Sequence, residues 1–193
     1  MQAQGVVNVD ETGWRQAGQR AWLWVAATPQ VRVFEIAATR GAQGLKTLLG
    51  QEFIVGAGIV GSDRWSAYNV LEPSRRQLCW AHLARDFQAL VERGGESAPI
   101  GSALLEQERL MFGLWQQVQA GTLEHPAFTV AMQPVQAVVA AVLREGTQVA
   151  QKKTRRTCEN LVKLEAALWT FVRVAGVEPT NNAAERPLRR AVL

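Results

Sequence analysis

At about residue 80 the apolar pattern of the chain changes period, and this switch constrains the fold more than any other feature of the sequence. Before it, short apolar runs at residues 6–10, 21–28, 31–37, 59–63 and 77–80 are bounded by turn residues such as Gly18-Gln19 and Thr28-Pro29-Gln30, and read as strands. Helices are expected at 41–49 and around 65–71. After residue 80 the strand signals vanish. Leu83, Phe87, Leu90 and Val91 recur at helical spacing, as do Leu104, Leu105, Leu110, Leu114 and Val118. Val135, Val138, Val139 and Val142 continue the pattern, then Leu161, Leu164, Leu168 and Phe171. Gly94-Gly95 and Gly121-Thr122 divide this stretch into separate helices. The expectation is an α/β fold: a mixed sheet in 1–80 flanked by helices, an all-helical block in 81–175, and a last segment, 176–193, returning to the sheet.

A chain of 193 residues that is 48% hydrophobic can bury one sizeable core. Its net charge of +4 fits a polyanionic partner without demanding one. Cys79 and Cys158 are the only cysteines, which argues against a disulfide scaffold and fits a reducing compartment. No uninterrupted apolar run approaches the ~18 residues of a membrane span, so no membrane association is expected. The first ten residues lack the basic and apolar regions of a secretory signal. The last residues, L-R-R-A-V-L, stop within a helical pattern, which suggests a truncated segment.

Three carboxylates stand in recognisable strings: Asp10 in V-N-V-D-E-T, Asp63 in G-I-V-G-S-D-R-W, and Glu185 in T-N-N-A-A-E-R. Taken singly, an Asp after a strand is usually a turn residue, and a Glu in a first helical turn is favoured by the helix dipole. Taken together, two Asp after strands and a Glu on a helix, separated by a helical block, are the layout of a ribonuclease H-like phosphoryl transferase. Oxygen ligands of this kind suit hard divalent cations. Asn181 and Asn182 are good helix caps and would fix where Glu185 projects. Pro187 is expected in the first turn of that helix, where proline costs no hydrogen bond.

The strings V-D-E-T-G-W, S-D-R-W-S-A-Y-N, Q-L-C-W-A-H-L-A-R-D-F and P-T-N-N-A-A-E-R-P-L-R-R-A-V resemble bacterial DDE transposases, most closely the insertion-sequence family numbered sixty-six. The resemblance runs in order from residue 6 to the end of the chain. It implies a metal-binding catalytic triad of Asp10, Asp63 and Glu185 holding two Mg²⁺ (or Mn²⁺) ions, a ribonuclease H-like sheet, and a helical insertion between the second Asp and the Glu. The implied function is cleavage and strand transfer of mobile-element ends. The partners are double-stranded DNA, at element ends and target, and further copies of the chain in a synaptic complex. The implied location is the bacterial cytoplasm, at the nucleoid. A structure-specific nuclease of the same superfold and a non-catalytic DNA-binding remnant are the alternatives.

Around this triad, Arg64, Arg186, Arg189 and Arg190, with the run Lys152, Lys153, Arg155 and Arg156, are candidate phosphate contacts, since guanidinium matches phosphate oxygens bidentately. Solvated surface charge is the ordinary reading of each. Cys79 and His82 form a C-x-x-H pair, but Cys158 and His125 lack the spacing to complete a zinc site. Cys79 reads as a small buried residue ending a strand. His82 is expected close to the carboxylates, orienting one or touching a phosphate without ligating metal. Trp14, Trp65 and Tyr68 flank the carboxylates as core or wall of the site, and Trp22 and Trp24 share a core-facing side of a strand.

Overall fold

The computed structural model describes residues 5–192. Strands β1 (Val6–Gln16) and β2 (Gln19–Ala27) form an antiparallel hairpin closed by Ala17 and Gly18, both at positive φ (48° and 79°), as a two-residue turn between right-twisted strands requires. β3 (Arg32–Ala37) adds antiparallel to β2. β4 (Ile59–Ser62) and β5 (Arg76–Leu78) add in parallel on the other side of β1, giving a five-stranded mixed sheet in the order β3-β2-β1-β4-β5.

The first strand is longer than its apolar run. Pairing with β2 continues from Asn8↔Ala27 to Gln16↔Gln19, so the ladder carries polar residues well past Asp10. Trp80 does not end the last strand. It opens helix α3 (Trp80–Arg93), where its ring meets Phe87 two turns on, at a centroid distance of 6.3 Å.

Helices cover both faces of the sheet. On one face Val7, Val9, Trp24 and Ala26 pack against Leu45 and Leu49 of α1 (Ala42–Leu49), Phe53 and Ile54 of α2 (Gln51–Val55), and Tyr68 of the 3₁₀ turn Ser66–Val70. Gly50, at φ 79°, breaks α1 from α2 in a conformation that only glycine adopts freely. On the other face Leu23, Val25 and Ala27 pack against Ala184 and Leu188 of the last helix, α9 (Asn182–Val192). A segment from far along the chain also joins the sheet. The Gln77 side chain donates to Leu168 O at 3.2 Å and accepts from Phe171 N at 2.8 Å, which fastens residues 166–171, shared between α7 (Glu165–Leu168) and α8 (Thr170–Arg173), beside β5.

From Trp80 to Arg173 the described elements are helices alone. Two compact units emerge: residues 1–79, 166–171 and 176–193 around the sheet, and residues 80–165 with 172–175 as a helical unit. In the helical unit α3, α4 (Ser97–Gln119), α5 (His125–Gly146) and α6 (Lys152–Lys163) follow one another. Helix α5 is the one described helix long and apolar enough, by length and composition, to cross a membrane. Its stripe of Phe128, Met132, Val135, Val139 and Leu143 is buried within the unit at the spacing of a core-facing helix.

Helices α3 and α4 approach closely at Gly101. A Cβ there would stand 2.6 Å from Phe87 O and 2.8 Å from Val91 N, backbone atoms that cannot swing aside. Gly101→Val is therefore expected to lower stability by about 1–3 kcal/mol, the usual cost of overpacking, read as a lower denaturation midpoint with an unchanged slope. A midpoint equal to wild type would show that the two backbones separate without cost.

Candidate active site

The site is assembled on the α9 face of the sheet. Cross-strand neighbours share a face, so Asp10, paired with Val25, lies on the α9 side, while Glu11, paired with Trp24, lies on the α1 side. β1 and β4 run parallel with Asn8 opposite Gly61, and two residues further this register sets Asp10 level with Asp63, just beyond the end of β4. Gly61 permits this pairing, because a Cβ on it would fall 2.3 Å from the Asn8 side-chain oxygen.

The Asp10 carboxyl is strongly perturbed. Burial pushes its pKa up to about 7, and the negative charges of Glu11, Glu185 and Asp63 push the same way, against a lowering backbone hydrogen bond at Glu11. Asp10 thus stands within electrostatic reach of both other motif carboxylates. Asp63 accepts from Trp65 N at Oδ1 (2.8 Å) and lies 3.9 Å from Arg40 Nη2 at Oδ2. Beneath it the buried Arg76 donates to Asn69 Oδ1 at 2.9 Å and to the Asp63 carbonyl at 3.4 Å. Burial lowers the Arg76 guanidinium to about 10.

Glu185 is 8% exposed in the first turn of α9. Arg189, one turn on, donates to its Oε2 at 2.8 Å, and the Cys79 thiol lies 4.0 Å from Oε1. Asn181 begins this helix in an unexpected way. Its backbone carbonyl accepts from Ala184 N and Glu185 N, while its buried side-chain amide donates to Val9 O at 3.3 Å. Beyond Asn8, β1 has no β4 partner, and Asn181 supplies a donor that the sheet leaves missing there. Asn182 is the first residue of α9 and is half-buried. Because the helix starts at Asn182, Pro187 falls in the second turn and not in the first as its sequence suggests.

On the α1 face, Glu11 is a polar centre that its sequence did not distinguish from its neighbour Asp10. Tyr68 Oη donates to its Oε2 at 2.5 Å and Arg40 Nε to its Oε1 at 2.7 Å. Burial raises its carboxyl above the usual range, and these two partners pull it back down. The Tyr68 hydroxyl is pushed well above its ordinary value, by complete burial first and then by the Glu11 charge. Strand alternation, which turns Glu11 away from Asp10, is the one sequence signal that could have found it. Trp24 is buried, Trp22 and Trp14 are partly buried against the two core clusters, and Trp65 is 39% exposed.

The candidate phosphate contacts divide. In the sheet unit Arg186 is exposed, Arg64 is half-buried, and the exposed Arg189 is held by Glu185; the Arg190 side chain lies outside the described residues. In the helical unit Lys152, Lys153 and Arg156 are exposed at the start of α6, whereas Arg155 donates to Val149 O (3.0 Å) and Ala150 O (3.1 Å). These exposed cations near a helix start oppose the helix dipole, and Gln151 caps the turn by accepting from Lys153 N and Thr154 N. His82 is half-buried in the first turn of α3, and Cys158 is buried against Gly146.

No curated protein and no solved structure matches the chain. A family model described as Transposase IS66 family matches residues 1–193, a family whose name implies DNA as the partner. With that match spanning every element that carries the three carboxylates, the chain belongs to the IS66 family of transposases.

Proposed function

We propose that this chain is the catalytic domain of a DNA transposase that cleaves mobile-element ends and joins them to a target, using Asp10, Asp63 and Glu185 on a ribonuclease H-like sheet. The observation that carries the reading is the register that sets Asp10 level with Asp63 on neighbouring parallel strands, with the Asp10 carboxyl raised by burial first and then by the charges of Glu11, Glu185 and Asp63. Carboxylates whose charges act on one another in this way repel, and a cation relieves that repulsion. The antiparallel strands β1–β3 followed by the parallel β4 and β5 support the superfold.

The donor set fits the metal that the family implies. All three candidate ligands offer hard carboxylate oxygens, the chemistry preferred by Mg²⁺ and Mn²⁺. Two such ions, when bound, supply an activated water or 3′-hydroxyl and neutralise the leaving oxygen. The protein's own part is preparation. Asp10, once deprotonated, and Glu185, once released from Arg189, would hold the cation with Asp63, and Asn181 and Cys79 hold the first turn of α9 in place. His82 acts close by without ligating metal. Arg64, Arg186, Arg189 and Arg190, and Lys152, Lys153, Arg155 and Arg156, take DNA phosphates, from a chain that self-associates in a synaptic complex at the nucleoid.

A strand-transfer assay with pre-cut element ends, Mg²⁺ or Mn²⁺, and Asp63→Asn as the control tests this. Joining by the wild type and none by the variant is the expected result. Cleavage without joining favours a structure-specific nuclease. DNA binding without either reaction favours an inactive remnant.

A further inference from the structure

Glu11 and Asp63 are linked by one side chain. Arg40 donates from Nε to Glu11 Oε1 at 2.7 Å, and its Nη2 stands 3.9 Å from Asp63 Oδ2. A planar guanidinium can address both carboxylates in this way, whereas a lysine's point charge can serve only one well. The fork is also clasped. It lies 4.3 Å from the Trp65 ring centroid and 5.3 Å from that of Trp22, and the Trp65 indole donates to the Arg40 carbonyl at 3.0 Å.

The anchor of this assembly is Glu11. Its side chain has no exposure, against 33% for Arg40, and Tyr68 holds its second oxygen. An exposed ion pair at 3.9 Å would by itself hold little. Tied to a buried carboxylate, the same guanidinium presents a fixed charge to Asp63. Asp63 is then constrained at both oxygens, Oδ1 by a hydrogen bond from Trp65 N and Oδ2 by the facing charge of Arg40, while Arg76 donates to its carbonyl.

We infer that Arg40 is a positioning residue for the metal site: anchored by Glu11 and Tyr68, it sets the orientation of Asp63. The inference rests on the proposed role of Asp63 as a ligand. Nothing in the Asp10, Asp63 and Glu185 motifs points to Arg40, which lies in the connection between β3 and α1.

The test uses Arg40→Lys in the whole protein, with the double variant Glu11→Gln/Arg40→Met as a second route. The double variant removes both members of the ion pair, so the buried Glu11 charge is not left alone if the single variant folds poorly. The first readout needs no metal. Amide exchange of Trp65, whose N–H is bonded to Asp63 Oδ1, is followed by nuclear magnetic resonance and is expected to quicken by about tenfold as that bond opens more often. The second is the ratio of Mg²⁺- to Mn²⁺-supported cleavage. It is expected to fall by about tenfold, because Mg²⁺ demands near-ideal octahedral geometry.

Folded variants with unchanged Trp65 exchange and an unchanged metal ratio overturn the inference. So does a loss of DNA affinity alone, which would make Arg40 a phosphate contact. If wild-type cleavage does not depend on Asp10 and Asp63, the metal reading fails separately, and the metal-free exchange measurement still decides whether Arg40 positions Asp63.

Discussion

Glu185→Gln is expected to abolish DNA cleavage, by more than about a thousandfold, while DNA binding stays near the wild-type level. The substitution keeps size and shape but removes the charge that a cation would take up. A thousandfold loss corresponds to about 4 kcal/mol of transition-state stabilisation, within what a bound metal ion supplies. DNA affinity is carried by other groups in this reading, among them the exposed Arg186, Lys152, Lys153 and Arg156, and a mobility-shift assay should show little change. Because Glu185 also pairs with Arg189 at 2.8 Å, the variant frees that guanidinium, and affinity is more apt to rise than to fall. Cleavage retained by the variant would move the third ligand elsewhere. Glu178, which is exposed, and Glu165, at the start of α7, are the next candidates.

Asp10→Asn should stabilise the metal-free fold at alkaline pH. In the wild type the Asp10 pKa rises from 3.8 to about 7 on folding. A raised carboxyl binds its proton more tightly in the folded state, so its contribution is complete below about pH 4 and is lost as pH climbs through 7. At pH 8 the ionised group therefore strains the metal-free fold, by at most about 4 kcal/mol at ~1.4 kcal/mol per tenfold. Asparagine has no charge to bury. Metal-free Asp10→Asn should melt several degrees above wild type at pH 8, at roughly 2–4 °C per kcal/mol for a chain of this size, and the difference should vanish near pH 4. Calorimetry with Mn²⁺ supplies the counterpart: wild type binds and is stabilised, the variant binds weakly. Parallel melting curves at every pH, or equal Mn²⁺ affinity, would remove Asp10 from the site.

The alternation of sheet and helix is written in the sequence because each element buries a continuous apolar face, and a change of period shows through any details of packing. Register is written less plainly. Asp10 and Glu11 are adjacent and both acidic, and only the pairing of one with Val25 and the other with Trp24 decides which faces α9 and which faces α1. The carboxylate strings could be recognised locally, whereas Arg40 lies in a connection with no pattern and gains its meaning from partners at Glu11 and Asp63. Asn181 illustrates a competition that local rules miss. Capping preference predicts a side chain turned onto its own helix, but an unpaired carbonyl at Val9 offers a better partner, and the backbone carbonyl serves the helix instead. The segment that carries Phe171 reads as helix like its neighbours. That it belongs beside β5 depends on Gln77, which lies far away along the chain.

Pro187 gives the last helix a mechanical property. Lacking an N–H, it cannot bond to the carbonyl of Ala183, so the ladder of α9 misses a rung immediately after the turn bearing Glu185. Behind that turn, Asn181 is fastened to β1 through Val9, and Cys79 contacts both Asn181 and Glu185. A helix bends where its ladder is interrupted. Here packing spans the joint: Ala184 before the proline and Leu188 after it are both buried against Leu23, Val25 and Ala27, so α9 is held to the sheet on either side of the gap, and the turn bearing Glu185 keeps its place without an unbroken ladder.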